Sequence, residues 1–346
     1  MAAMKKKKIL FICGSLNQTT IMHQIAKNLM DDFDCWFTPY YADGFVKLCD
    51  KLHLIDFTIV GNGNFRRQTM GYFNTHNLQV DMRGEKYSDE YELAFTCSDL
   101  IVQKNIRNKK IILVQEGMTD PESFPYYLVK YLHFPRWSAS TSTAGMSNQY
   151  TYFCIASEGY RELFIKKGAD PSKLLITGIP NFDNVHKYLN NDFPHKNYLL
   201  VATSDMRETL KYENRIKFIK RAVKIANGKQ IIFKLHPNEN FERAEKEINK
   251  YAPGSLIFTN GNTNHMIANC DSLLTRYSSV VLVAAVLGKK VYSDIPEEQL
   301  KRLAPVQNNG TSAERIAKLG RCLIEEPAKD GKEIQQEFEL KQALLH

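Results

Sequence analysis

The chain has little that would cross a membrane or cross-link it. No apolar run approaches the roughly 20 residues that span a bilayer, and the longest, Val280 to Leu287, stops at Gly288-Lys289-Lys290, which excludes a spanning helix. The N-terminus carries the lysines of a signal peptide, but its apolar segment, Ile9 to Cys13, is shorter than the roughly 7 to 15 residues of an h-region. Lys5 to Lys8 reads instead as the solvated lead-in to a first strand, with Met4 as an alternative start. The 7 cysteines are odd in number, scattered and without a C-x-x-C pair, and most sit inside apolar runs, which argues against disulfides and zinc. Zinc-finger spacing, an RNP motif and a helix-turn-helix are all lacking, and the histidines outside the segments discussed below form no metal-ligand spacing. The 46 lysines and arginines exceed the 38 carboxylates, for a net charge of +8, without gathering in one block. That balance favours anionic partners such as a nucleotide or anionic lipid, and the missing motifs argue against nucleic acid.

At 346 residues, 43% hydrophobic and 24% charged, the chain has the composition of a globular protein long enough for two domains. Unbroken apolar strands alternate with helical patterns: Lys7 to Cys13 is followed by Ile21, Ile25 and Leu29 at helical spacing after Thr20, a candidate cap. Further strands are expected at 35–40, 56–61, 100–103, 110–115 and 152–156. A polar segment, Asn181 to Lys196, reads as a linker. A second cycle follows, with strands expected at 198–202, 230–235, 255–259, 272–275 and from Val291, and helices at 208–226, 239–251 and 278–287. This pattern predicts an α/β protein with parallel sheets. The expected domains are 1–183 and 184–330, with a helix over 331–346 that packs back on the first domain.

Chemistry is expected where strands end at helix mouths, the places where α/β proteins hold phosphate. Lys234-Leu235-His236-Pro237 is one such junction and Leu274-Thr275-Arg276-Tyr277-Ser278-Ser279 another. Pro237 suits the first turn of a helix and restricts the residue before it, holding His236 extended at the helix mouth. From there the imidazole donates to a phosphoryl oxygen or protonates a leaving group, or it is simply a hydrogen-bonded core histidine. Ser278 and Ser279 fall at the cap and first turn of a helix, where free N–H groups favour an anion and where serines are also ordinary caps. Arg276 adds a charge to the same phosphate or is a surface residue. Thr203 and Ser204 follow another strand and are further phosphate-binding candidates.

Glu116, between the strand 110–115 and Gly117, is placed like a catalytic base or like a carboxylate that caps the next loop. Gly14 and Ser15 hold the equivalent strand end nearer the N-terminus and, with Gly117, form the candidate acceptor side. Asp32-Phe33-Asp34 has the look of a metal-binding D-x-D but lies away from any strand C-terminus. The aromatics Tyr126, Tyr127, Tyr131, Phe134 and Trp137, interleaved with Lys130 and Arg136, suit a membrane surface, stacking on a sugar, or a half-buried helix.

Together these residues resemble the GT-B glycosyltransferases, in particular the HP-and-SS group that includes bacterial sialyltransferases and polysialyltransferases, with a related look to the CDP-glycerol glycerophosphotransferases. The wider resemblance, from Lys110 to Tyr292, is to the UDP-N-acetylglucosamine 2-epimerase superfamily. It is carried by Ile155-Ala156-Ser157-Glu158 through Gly168 to Thr177-Gly178-Ile179-Pro180-Asn181, which resembles the closing part of the first domain in that superfamily, while the HP-and-SS group's acidic-acidic-glycine element falls on Gln115-Glu116-Gly117, its HP on His236-Pro237 and its paired serine on Ser278-Ser279, in the expected order. Gln115 departs from the first acidic residue of the triplet, and Arg276 stands where glycerophosphotransferases carry Asp.

The resemblance implies a GT-B fold, two Rossmann-like domains facing each other across a cleft. It also implies an inverting transfer of a sugar from a nucleotide-activated donor to a carbohydrate or glycolipid acceptor in surface polysaccharide synthesis, with no metal or other cofactor. Glu116 would deprotonate the acceptor, and His236, Ser278 and Ser279 would support the departing phosphate. A non-hydrolysing UDP-sugar 2-epimerase, a CDP-glycerol-type glycerophosphotransferase and a binder without turnover are the alternatives. The expected location is the cytoplasm, with peripheral contact at the inner face of a membrane left open and no nucleic-acid partner.

Overall fold

The computed structural model describes residues 6–56, 58–204, 206–208, 213–325, 333 and 336. They divide into two units, one running to Asp183 and resuming at Val306, the other spanning Asn184–Pro305.

Among the described residues of the first unit, β1 (Lys8–Cys13), β2 (Asp34–Pro39), β3 (Tyr91–Thr96), β4 (Lys110–Val114), β5 (Tyr152–Ile155) and β6 (Leu174–Ile176) form a sheet in the order β2-β1-β3-β4-β5-β6. Every pairing is parallel. The sheet is flanked by α1 (Leu16–Lys27), α2 (Gly44–Lys51), α3 (Asn64–Thr75), α4 (Phe124–Leu132) and α5 (Glu158–Lys167). A strand covered on both faces must be apolar throughout, and β1, Lys-Ile-Leu-Phe-Ile-Cys, is buried at every position. Phe11 stacks between Phe37 and Phe95, at 5.2 and 4.9 Å between ring centroids.

Local chemistry moved several boundaries. Helix α1 starts at Leu16, capped by Ser15, whose hydroxyl accepts from the Gln18 N–H; Thr20 lies inside the helix and donates to the Asn17 carbonyl. The strand expected at 56–61 is a run of turns, with Thr58 N–H bonded to Ile55 O and Gly61 N–H to Thr58 O. There a Cβ on Gly61 would lie 2.1 Å from the Ile55 carbonyl oxygen, so the chain coils back on itself. At 100–103 the Ile101 N–H and carbonyl are both taken by the Tyr40 hydroxyl rather than by a neighbouring strand. The strand beside β1 is instead β3, whose Glu92 is its one exposed position.

In the second unit, β7 (Leu199–Ala202), β8 (Ile231–Lys234), β9 (Leu256–Phe258), β10 (Ser272–Leu274) and β11 (Lys290–Tyr292) form a parallel sheet in the order β11-β10-β7-β8-β9. It is flanked by α6 (Arg215–Ala226), α7 (Phe241–Tyr251), α8 (Thr263–Asn269), α9 (Val280–Val286) and α10 (Glu297–Leu303). Val201, Phe218, Ile219, Phe233 and Ile248 lie in one buried cluster between sheet and helices. Each unit is a Rossmann-like lobe. In each the chain reverses its direction of travel across the sheet, between β1 and β3 in the first and between β7 and β10 in the second, and crevices for ligands open at such reversals.

The C-terminal boundary differs from the expected 330. Residues from Val306 through α11 (Ser312–Glu325) belong to the first unit. The buried Asp183 carboxylate accepts from the N–H groups of Asn308 and Ser312, and the Thr177 carbonyl accepts from the Asn308 amide and the Ser312 hydroxyl. These bonds satisfy the mouth of α11, whose apolar face is buried at Ile316, Leu319 and Leu323. The helix expected over 331–346 lies outside the described residues apart from Glu333 and Gln336.

Candidate active site

In the first unit, β4 runs out at Val114 and delivers Glu116 to the C-terminal edge of the sheet. Oε1 accepts from the Ser15 hydroxyl at 2.9 Å and the Asn17 amide at 3.1 Å, and Oε2 accepts from the Gln18 amide at 2.6 Å. All three donors come from the first turn of α1, where the helix dipole favours a negative charge. A carboxylate offers about four acceptor positions, so one remains, on Oε2. Among the described residues no lysine or arginine contacts Glu116. Burial pushes the pKa of the Cys97 thiol well above its ordinary value, and the charge of Glu116 pushes it the same way.

Gly14 is required by this arrangement: a Cβ on it would sit 2.3 Å from the Gln18 side-chain oxygen, displacing the amide that holds Oε2. Gln115 fills a structural role. Its buried amide accepts from Ala156 N–H at 2.9 Å and donates to the Gly117 carbonyl at 2.8 Å, joining the ends of β4 and β5. Gln115 thus bridges backbone groups that an acidic side chain, which only accepts when ionised, could not bridge.

In the second unit β10, β7 and β8 are hydrogen-bonded neighbours, so Thr275, Ser204 and His236 leave the sheet along one edge within about 10 Å. His236 is half-buried, not sealed in the core. Its N–H is shared between the Thr203 hydroxyl at 3.2 Å and Glu239 Oε2 at 3.0 Å, and its Nδ1 accepts from Asn238 N–H at 3.3 Å. With Nδ1 an acceptor, the proton of the neutral ring belongs on Nε2.

Behind His236 lies a chain of buried charges. The Glu239 carboxylate, fully buried, takes the Thr203 hydroxyl and lies 2.7 Å from the Arg215 guanidinium. Arg215 also pairs with buried Glu213 at 2.8 Å and donates to the Ser204 carbonyl at 3.0 Å. Arg207 extends the chain with a two-pronged bond to Glu247, at 2.9 and 3.0 Å. Nearby, burial lowers the pKa of Lys234, whose amine donates to the Thr259 and Leu235 carbonyls.

Several expected roles change. Pro237 sits in a turn, closed by Glu239 N–H to His236 O at 3.0 Å, and α7 begins only at Phe241 because Asn240 caps it through the Arg243 N–H. The Thr203 hydroxyl is spent on Glu239 and on receiving the His236 N–H, so Thr203 positions His236 and offers little to a phosphate. Arg276 is paired with Asp294 at 3.1 Å. Helix α9 starts at Val280, later than expected; Ser279 has helical dihedrals and makes no side-chain cap bond. The hydroxyls of Ser204 and Thr275 are buried without a hydrogen-bond partner among the described residues, a state that costs about 1–3 kcal/mol per group, and they stand at the two strands that flank the reversal. In the D-x-D, Asp32 pairs with Arg321 and Asp34 with Lys8.

Sequence reasoning passed over Gln18, Thr275, Glu239, Arg215 and Glu213. Gln18 had a signal: Ser15 and Gln18 have capping-box spacing, although the Gln18 amide goes to Glu116. The ionic chain had none, since Arg215 meets Glu239 and Arg207 meets Glu247 only across the fold.

No protein-family model matches the chain, and no curated protein matches it in sequence. Solved structures do. A putative UDP-N-acetylglucosamine 2-epimerase from Listeria monocytogenes is 14% identical with a TM-score of 0.59, the match covering 93% of this chain and 97% of that one. UDP-GlcNAc 2-epimerase from Neisseria meningitidis, bound to UDP-GlcNAc, is 12% identical at 0.54, covering 91% and 99%. The wall teichoic acid polymerase TagF is 13% identical at 0.53, covering 93% and 90%. The chain has the GT-B fold. At such identities the likeness is one of fold, and function on a GT-B scaffold has to be argued from the strand-end residues themselves.

Proposed function

We propose that the chain is a nucleotide-sugar-dependent glycosyltransferase that inverts at the anomeric carbon and needs no metal, acting on a carbohydrate or glycolipid acceptor in surface polysaccharide synthesis. Glu116 carries the reading: a carboxylate at a strand end, oriented by three uncharged donors, with one acceptor position left and, among the described residues, no cation in contact with it. In the reaction the acceptor oxygen attacks the anomeric carbon, its proton passes to Glu116, and the bond from that carbon to the nucleotide phosphate breaks with its electron pair leaving on the phosphate. The second unit supplies the groups for that phosphate: His236 through Nε2, the hydroxyls of Ser204 and Thr275, and Ser278 with Ser279. The described residues contain no cluster of three metal-ligating side chains, and this reading gives the leaving charge to hydrogen-bond donors. A peripheral site at the inner face of the membrane suits a glycolipid acceptor.

The test is incubation with CMP-, CDP-, UDP- and GDP-activated donors, with and without acceptor. A transferase releases nucleotide when acceptor is supplied; a 2-epimerase yields an isomeric nucleotide sugar without one; a glycerophosphotransferase uses CDP-glycerol alone; a binder turns nothing over. Glu116→Gln lowers transfer by about 10²–10⁴-fold and leaves donor affinity within a few fold by titration calorimetry. Normal transfer by that variant removes Glu116 as the base.

A further inference from the structure

Three donors orient Glu116, and they are not equally secure. Ser15 is fixed as the cap of α1 and Gln18 is buried, but Asn17 is exposed, and the last torsion of an amide side chain in water is soft. A turned Asn17 would set its carbonyl oxygen against the Glu116 carboxylate, acceptor against acceptor. A group outside the first turn of α1 has to hold it.

That group is Asn181, at the head of the segment whose sequence reads as the linker. Its Nδ2 donates to Asn17 Oδ1 at 2.5 Å, with its second hydrogen between the Thr20 hydroxyl at 3.1 Å and the Asn17 carbonyl at 3.2 Å. The Thr20 hydroxyl gives its own hydrogen to the Asn17 carbonyl, so towards Asn181 it can only accept. The Oδ1 of Asn181 accepts from the Gln24 amide at 2.7 Å. Oxygen and nitrogen are therefore told apart at each step: Gln24 sets Asn181, Asn181 sets Asn17, and Asn17 is left with its Nδ2 on Glu116 Oε1.

The backbone that carries Asn181 is pinned on both sides. Before it, the N–H groups of Thr177 and Gly178 bond to the Ile155 carbonyl at the end of β5. After it, the Phe182 carbonyl accepts from the Gln307 amide at 2.7 Å and the Asp183 carboxylate accepts from Asn308 and Ser312. Asp183 is also where the chain leaves the first unit. The stretch that ends this part of the unit thus aims one of the donors at its strand-end carboxylate. Such outer partners decide whether a reacting group is held closely enough to work.

We propose that Asn181 is a positioning residue for the base, acting through Asn17 to keep an N–H rather than a carbonyl oxygen on Glu116. The inference rests on the reading of Glu116 as the base and adds to it a residue that touches neither Glu116 nor the reacting atoms.

The experiment is steady-state transfer by the full chain carrying Asn181→Leu, Asn17→Ala or both, with Glu116→Gln measured beside them. Asn181→Leu keeps the branched shape of the side chain and removes its hydrogen-bonding groups, so Asn17 is free to turn. It lowers kcat by about tenfold and leaves melting and the KM for the nucleotide donor unchanged. Asn17→Ala lowers kcat by about the same factor, and adding Asn181→Leu to it changes kcat by less than about twofold, because the path from residue 181 to the base is already cut. A residue that only shaped its own turn would instead be felt equally in both backgrounds. Should Asn181→Leu melt lower, Asn181→Ser, too short to hold Asn17, takes its place in the same cycle. Wild-type kcat in the residue 181 variant, or an equal loss with and without Asn17, overturns the proposal while a dead Glu116→Gln keeps the base. Normal transfer by Glu116→Gln removes the base and this inference together.

Discussion

Glu116 in the first unit and His236 in the second both leave a parallel sheet at its C-terminal edge, but they are held differently. Glu116 is gripped by its own carboxylate, through Ser15, Asn17 and Gln18, all uncharged. His236 is gripped by its backbone N–H, through Thr203 and Glu239, and by Nδ1, and Glu239 is fixed in turn by Arg215, which also pairs with Glu213. The contrast follows from what each group does in the proposed reaction. A base that must gain a proton is best oriented by neutral donors, since a cation in contact would neutralise it. A donor to a phosphate is best held through its backbone, and the Glu239 carboxylate on the His236 N–H begins the chain of charges that makes it rigid. Burying a charge costs several kcal/mol unless it is paired, and Glu213, Arg215 and Glu239 of the second unit are paired in a chain.

Arg215→Met breaks that contrast most severely, leaving Glu213 and Glu239 buried without their cation. Loss of one partner of a buried pair costs about 3–5 kcal/mol, and urea unfolding followed by a probe in the second unit should register it. A shift below about 1 kcal/mol would show that the ionic chain does not hold the His236 segment.

The first unit has a buried charge of its own. Lys167 is buried, its amine donating to the Ser142 carbonyl at 2.9 Å, and burial lowers its pKa to about 8 although Glu122 and Asp120 pull the other way. The unfolded chain keeps this proton to about pH 10.4, so between the two values the unfolded state binds more protons and stability rises with pH. Below about pH 8 the full penalty, about 3 kcal/mol, is present. The stability difference between wild type and Lys167→Met should therefore change by about that amount across this window, in favour of wild type as pH rises. A difference flat with pH would mean that Lys167 is solvated.

Gly14→Ala sharpens the comparison from the Glu116 side. The added methyl meets the far end of a flexible side chain, so Gln18 moves at little cost in stability and its amide leaves Oε2. Melting should hold, while turnover falls by about ten- to a hundredfold with KM little changed. An equal loss in melting would make the site merely structural.

The smallest effect is expected at Thr275→Val. Its hydroxyl is buried without a partner among the described residues, so removing it should leave stability within about 1 kcal/mol, or raise it. Donor affinity should fall by about tenfold. Unchanged nucleotide binding by calorimetry would take Thr275 out of the phosphate seat.

How much of this could be read in advance follows from where each signal sits. Strand β1 was legible because a strand covered on both faces has to be apolar nearly throughout, and Ile9 to Cys13 is an unbroken apolar run. Strand β3 was not: Glu92 and the polar residues around it blur the pattern, and its partner is β1, about 80 residues away in the chain. Glu116 and His236 were visible as polar residues that stop an apolar run. Thr203 looked equally available, and only the proximity of Glu239 shows that its hydroxyl is spent. Helix α11 was assigned to the wrong unit because its anchor, Asp183, precedes it by more than a hundred residues and carries no local mark.

The order of apolar runs and their polar stops, a property of neighbours in the chain, was enough to specify two parallel α/β units and the strand ends at which Glu116 and His236 stand. Which donors surround Glu116, which charges stand behind His236 and which unit receives α11 were decided by residues distant in sequence. Such contacts form only after the sheets have brought their strands together, so burial and pairing, rather than local pattern, select them.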